Sequence, residues 1–143
     1  MVNIAIVYWS GTGNTQIMAN AIAEGIKKAG FDVYIYTIAE CSKDVLEEYP
    51  KIVFGCPAMG GETLEEDEFE PFFTEFEDNL KDKKIALFGS YGWGDGEWMR
   101  EWQARVTAHG GELFNEGLII NETPDEQGIY DCQTFGEEFA KFL

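Results

Sequence analysis

The chain has 143 residues, with 27 Asp and Glu against 10 Lys and Arg and a formal net charge of -17. A charge of that sign repels nucleic acid and anionic membrane surfaces and favours basic partners. With 45% hydrophobic and 15% aromatic residues, and no run of about 18 apolar residues, the composition implies one packed domain over residues 1–143 and excludes a disordered or helical membrane-spanning chain.

Val2 to Tyr8 is a β-branched and apolar run, the pattern of a strand buried on both faces. The apolar stretch Ile4 to Trp9 is too short for a signal peptide and lacks its basic flank and cleavage site, so a cytoplasmic location is expected. After a Gly-rich turn, Ile17, Met18, Ala21, Ile22, Gly25, Ile26 and Ala29 recur at helical spacing, and Gly30 is a stop signal. Further strands are expected near Asp32 to Thr37, Ile52 to Gly55, Lys84 to Gly89 and Leu113 to Asn121. Helices are expected between them near Ser42 to Glu48, Phe69 to Asn79 and Glu97 to His109, with a last one near Asp125 to Phe142. Strands alternating with helices predict a three-layer α/β sandwich around a parallel sheet, because parallel neighbours need right-handed crossovers.

Ligands in such sheets bind beyond the carboxyl ends of the strands. That rule selects three loops: Trp9 to Thr15, Cys56 to Leu64 and Ser90 to Gly96. In the first, Ser10, Gly11, Thr12, Gly13, Asn14 and Thr15 join a strand to a helix, which aims unpaired N–H groups and the positive helix end at one point. Gly11 and Gly13 allow close approach of an anion. The loop has neither the Lys of a Walker loop nor a complete GxGxxG, so a terminal phosphate monoester fits better than a nucleoside triphosphate. An N-capping turn would use the same residue types, but not so many of them together.

These residues resemble the flavodoxins, in which a T/S-x-T-G-x-T loop holds the phosphate of flavin mononucleotide (FMN). The similarity runs the length of the chain and is closest to the short-chain type. Tyr8-Trp9 stands before the first loop, Ala58-Met59-Gly60 in the second and Ser90-Tyr91-Gly92-Trp93-Gly94-Asp95-Gly96 in the third. The resemblance implies a flavodoxin-like αβα sandwich with a five-stranded parallel sheet in the order 2-1-3-4-5. It also implies a monomeric, low-potential electron carrier whose non-covalent FMN passes one electron at a time between redox proteins, ferredoxin-type donors and acceptors with basic docking surfaces.

A flat ring needs apolar faces above and below it and backbone polar groups at its edge. Met59 and Trp93 stand on separate loops, Met59 before Gly60 and Gly61, Trp93 between Gly92 and Gly94. The resemblance sets Met59 against one face of the isoalloxazine and Trp93 on the other. It gives Glu62 the ring N3–H, the other reading of that carboxylate being one more member of the acidic run. Asp95 is placed either to add negative potential near the ring or, as a turn aspartate, to bond its own backbone. Trp9, Trp98 and Trp102 read as packing residues. Family members turn over the peptide after the methionine on one-electron reduction; a type II turn with positive φ at Gly61 would ease that change. Pro57 replaces a hydroxyl residue of some relatives, which removes one contact to phosphate or ribityl.

Cys41, Cys56 and Cys132 form no CxxC pair and read as plain thiols, with no metal site. From Gly61 to Leu80 there are nine acidic residues and no basic one, which is either a solvated face or a docking surface. His109 is expected at a helix end. An FMN-dependent quinone or nitroreductase-like enzyme would need a substrate cavity, from inserted segments or a dimer interface, and the chain is too short for a sizeable insertion. A phosphorylation-switch receiver would need acidic residues where Trp9-Ser10 and Cys56-Pro57 stand. A non-redox module binding a phosphorylated ligand is the remaining alternative.

Overall fold

A computed structural model describes residues 3–142. The first strand, β1 (Ile4–Tyr8), is buried along its whole length; the expected starting residue Val2 lies outside the described residues. The other sheet elements are β2 (Val33–Thr37), β3 (Lys51–Gly55), β4 (Lys84–Tyr91), β5 (Glu112–Leu113) and β6 (Leu118–Asn121). All pairings are parallel, and the strands lie in the order β2-β1-β3-β4-β5, with β6 also on β4.

Side chains alternate across the sheet, so each strand feeds two cores. Ala5, Val7, Ile52, Phe54, Ile85 and Leu87 face one side, where α3 (Phe69–Phe76) and α4 (Glu97–Ala108) supply Phe69, Phe73, Phe76, Trp98 and Trp102. Ile4, Ile6, Tyr8, Val53, Ala86 and Phe88 face the other, against α1 (Asn14–Lys28) and α5 (Glu126–Ala140). Trp98 and Trp102 are each 1% exposed, as their i, i+4 spacing on one helix face predicts. The short α2 (Lys43–Glu47) is capped by Ser42, whose hydroxyl accepts from Val45 N–H.

Helix α1 stops where Gly30 takes φ 93. Gly30 N–H then donates to Lys27 C=O, and Phe31 N–H to Ile26 C=O, so a Schellman closure satisfies the last carbonyls. At its other contact α1 meets α5 almost backbone to backbone. A Cβ on Gly25 would fall 1.9 Å from the Gln133 carbonyl oxygen, and one on Gly136 would fall 2.1 Å from that of Ile22.

One expected element differs. The stretch Leu113 to Asn121 is two strands rather than one. Lys84 pairs with Glu112 but Phe88 with Leu118, so the edge chain advances two residues further than β4 over the same span. The excess is taken up in Phe114–Gly117, where Asn115 has φ 53. Gly117 closes the excursion against Met99, and its N–H donates to Gln103 Oε1 at 2.7 Å.

Candidate functional site

The three loops chosen from the sequence meet at the carboxyl ends of β1, β3 and β4. A cavity of about 240 Å³ opens there, lined by Trp9, Gly11, Thr12, Asn14, Pro57, Ala58, Met59, Ser90, Tyr91, Gly92 and Glu122. Other depressions of about 200, 270 and 360 Å³ exist, but the loop Ser10–Thr15 borders none of them.

On one side of the cavity stands the start of α1. Gly13 has φ 99, and no side chain caps the helix. Ser10 Oγ accepts from Gly13 N–H at 3.1 Å, which curls the loop. Among the described residues, the N–H groups of Gly11, Thr12, Thr15 and Gln16 have no partner. Nothing lies within 4 Å of where a Gly13 Cβ would stand. Free amides, the helix dipole and open space fit a phosphate monoester. Thr15 and Ser90 do not face that space as free hydroxyls: Thr15 Oγ1 and Ser90 Oγ bond each other at 3.1 Å, both residues buried.

On the other side stands Met59, 37% exposed, while Trp93, 62% exposed, lies beyond the residues that line the cavity; two large apolar groups on separate loops lack a full covering. Cβ atoms on Gly60, Gly61 or Gly92 would meet nothing within 4 Å. Open space at three glycines fits the edge of a flat ring.

The turn after Met59 departs from expectation. Glu62 N–H donates to Met59 C=O and Met59 N–H to Thr63 C=O, both at 2.8 Å. Neither Gly60 nor Gly61 has positive φ; Glu62 does, at 52. The left-handed position falls one residue later than a type II turn would put it, on a residue for which it costs roughly 1 kcal/mol. The compensation is visible: Glu62 Oε1 accepts from Gly96 N–H and Glu97 N–H at 3.2 Å, capping α4, which lacks a cap of its own. Gly94, at φ 90, lies under this carboxylate, and a Cβ there would be 2.4 Å from Glu62 Cδ.

Asp95 is not a lone negative charge. Arg100, from the first turn of α4, donates to the Asp95 carboxylate and to its carbonyl, each at 2.9 Å. That guanidinium holds the Asp95 carboxyl below its ordinary range.

The acidic run is also partly structural. Glu65, 5% exposed, accepts from the N–H groups of Asp67, Glu68 and Phe69 at 2.7–2.8 Å. Burial would raise its carboxyl, but these three donors outweigh burial and hold it below the usual carboxylate value. Glu70 and Glu77 grip Arg105. Glu66, Asp67, Glu75 and Asp78 remain exposed.

Trp9, at the start of the first selected loop, and Glu122, which lies outside all three, also line the cavity. Trp9 packs against the core, as expected, and its ring also covers Gly11, 3.0 Å from where a Cβ would be, while its indole N–H donates to Glu68 at 3.0 Å. Its place between the first strand and the phosphate loop was the available signal. Glu122 follows the last strand, at the same end of the sheet, where the loop-selection rule could have found it. His109 ends α4 as expected, with Nδ1 2.9 Å from Arg105 C=O and Nε2 3.7 Å from Glu77. The three cysteines are free and buried, and no group of metal-ligating side chains exists among the described residues.

Fold and site define a class: a doubly wound α/β protein with a cavity at its switch point, bordered by an uncapped helix start and two glycine-containing loops. The family model described as Flavodoxin matches residues 6–136. The chain belongs to the flavodoxin family, FMN-binding proteins that transfer electrons. It is 47% identical over 135 residues to a flavodoxin of Clostridium beijerinckii, covering 94% of this chain and 97% of that one. Identity to a flavodoxin of Megasphaera elsdenii is 46% over 138 residues, covering 96% and 98%. The solution structure of two-electron reduced Megasphaera elsdenii flavodoxin superposes with a TM-score of 0.89 over 97% of this chain and 99% of that one, again at 46% identity. No helix among the described residues is long and apolar enough to cross a membrane.

Proposed function

We propose that residues 1–143 form one flavodoxin domain that binds FMN non-covalently and works as a low-potential carrier, passing single electrons between redox proteins. The observation that carries this reading is the shared cavity: the uncapped start of α1 and the exposed Met59 thioether border the same space. Bound FMN supplies the redox-active ring. The amides of Gly11, Thr12, Thr15 and Gln16 bind its phosphate, with Ser10 and Asn14 shaping the loop. Met59 and Trp93 cover the two ring faces and shield them from water. Glu62, whose Oε1 already caps α4, has Oε2 for the ring N3–H. Tyr91, Gly92 and Gly94 keep the third loop close to the ring edge, and Gly60 and Gly61 leave the peptide after Met59 room to turn.

No Lys or Arg lies in Ser10–Thr15, so the phosphate charge is balanced by dipoles alone, and the chain's charge of -17 opposes adding electrons. One carboxylate about 10 Å away at an effective dielectric of about 20 contributes roughly 1.7 kcal/mol before screening. About 1.4 kcal/mol corresponds to roughly 59 mV for one electron, so a few such charges lower the potential substantially. The exposed Glu66, Asp67, Glu75 and Asp78 suit basic, ferredoxin-type donors and acceptors, with association rates that fall as salt rises. A cytoplasmic monomer fits this role.

Adding FMN and, separately, riboflavin to the apoprotein tests the reading. FMN fluorescence should be quenched stoichiometrically, riboflavin should bind far more weakly, and a potentiometric titration should resolve two one-electron steps. Equal binding of both flavins, or none of FMN, would sink it. Fast NAD(P)H-driven turnover of a quinone would instead favour an enzyme.

A further inference from the structure

A second concavity, of about 200 Å³, lies between the end of the second loop, α3 and α4. Leu64, Trp98 and Trp102, all buried, give it an apolar floor. The charges come from Glu70, Glu101 and Arg105. Arg105 is already engaged: its Nε donates to Glu77 at 2.6 Å, and its Nη1 and Nη2 donate to Glu70 at 2.9 and 2.6 Å. Glu101 is exposed and has no ion-pair partner among the described residues. Thr63, on the same groove, donates its hydroxyl to Glu66 at 3.4 Å. Four carboxylates thus stand around one guanidinium, which two of them already neutralise.

We infer that this groove receives a lysine side chain of the basic protein with which electrons are exchanged. The inference rests on the carrier function proposed above. An apolar floor beneath an unpaired carboxylate fits a methylene stem that ends in an ammonium. The stem covers the floor while the head meets Glu101, and an ammonium near an indole gains further attraction. An acidic side chain would be repelled, and an apolar one would cover Glu101 without compensating its charge. A second copy of this chain would bring its own charge of -17 to the contact, which opposes self-association. The groove is also placed for electron exchange. It begins at Thr63, next to Glu62 of the second loop, and Trp98 from its floor packs against Tyr91 of the cavity, with ring centroids 5.7 Å apart. A partner anchored here stands beside the mouth of the cavity.

The test is NMR titration of the isotope-labelled, FMN-loaded protein with pentalysine and with a pentamer of diaminobutyrate, which carries the same charge on stems two methylenes shorter. At about 0.15 M salt, where exposed charges are screened, pentalysine should bind roughly tenfold tighter, because the extra methylenes are buried. It should move the indole N–H resonances of Trp102, which has no hydrogen-bond partner, and of Trp98, which donates to the Cys56 carbonyl. Glu101→Gln should weaken pentalysine roughly fivefold and the shorter peptide by no more than about twofold. Glu24→Gln, an equal change of charge on α1 across the sheet, should leave the ratio of the two affinities as in wild type. Equal affinity of wild type for the two peptides overturns the proposal, since it leaves only diffuse attraction between charges, and so do unmoved Trp98 and Trp102 resonances. Shifts of those resonances with protein concentration alone would give the groove to a second copy and overturn it as well. FMN binding is read separately. A chain that selects pentalysine but takes up no FMN keeps the groove and loses the carrier function, whereas the reverse result removes the anchor alone.

Discussion

Thr15 Oγ1 and Ser90 Oγ stand 3.1 Å apart in a buried pair that ties the first turn of α1 to the end of β4. Thr15→Val or Ser90→Ala each strands the other hydroxyl away from water, at a cost of roughly 1–3 kcal/mol. The double variant should lose less than the two single losses combined. Urea unfolding of the apoprotein measures all three; strictly additive losses would show that the bond contributes nothing.

Glu65 binds three backbone amides at the start of α3, and Glu65→Gln should remove about 1–2 kcal/mol at neutral pH. The native carboxyl lies below its ordinary 4.5, so its stabilisation is complete above that value and fades as pH falls through the native one. The gap between wild type and variant should therefore shrink on acidification. A gap that stays constant down to pH ~2 would contradict the assignment.

Gly25→Ala and Gly136→Ala pit two effects against each other. Replacing a mid-helix glycine with alanine gains about 1 kcal/mol of helix propensity. Against this, the new methyl would meet a carbonyl oxygen at 1.9 or 2.1 Å, which backbone cannot yield without separating α1 from α5. Each variant should lose roughly 2–4 kcal/mol net. Thermal melting above wild type in either would refute the close approach.

Burial pushes the Cys41 thiol from 9.0 up to about 11 and that of Cys132 up to about 12, and raises Cys56 as well. The native state holds these protons after the unfolded chain has released them. Their contribution is therefore whole below pH 9.0 and is lost as pH rises through about 11 and about 12. Stability should fall across that alkaline window, less steeply in Cys41→Ser. At pH ~8 an aromatic disulfide reagent should react with no thiol of the native protein, and with three once it is unfolded in denaturant.

The alternation of strands with helices and the three site loops follow from features visible in sequence: apolar runs without polar relief, helical spacing after Gly11 and Gly13, and glycines around Met59 and Trp93; the strand order came with the family resemblance, not from periodicity. What was hidden depends on which groups the folded backbone turns toward each side chain, whether near in sequence or far. Glu65 looks like any other acid in its run until α3 folds its amides around the carboxylate. Asp95 looks isolated because Arg100 is a helical turn away and reaches back. The left-handed residue after Met59 is Glu62 rather than a glycine because its carboxylate finds the start of α4, a contact 34 residues distant. The break between β5 and β6 follows from register against β4, which local propensity does not carry.

The ties among the loops close a circuit. Glu62 joins the second loop to the third, Asn121 joins the segment 121–123 at the end of β6 to the third, Thr123 joins that segment to the first, and Thr15 returns from the first to Ser90. Grafting any one of these segments from a relative would bring in side chains whose counterparts are missing. Exchange of binding specificity between such proteins should succeed only when all four segments travel together as a cassette.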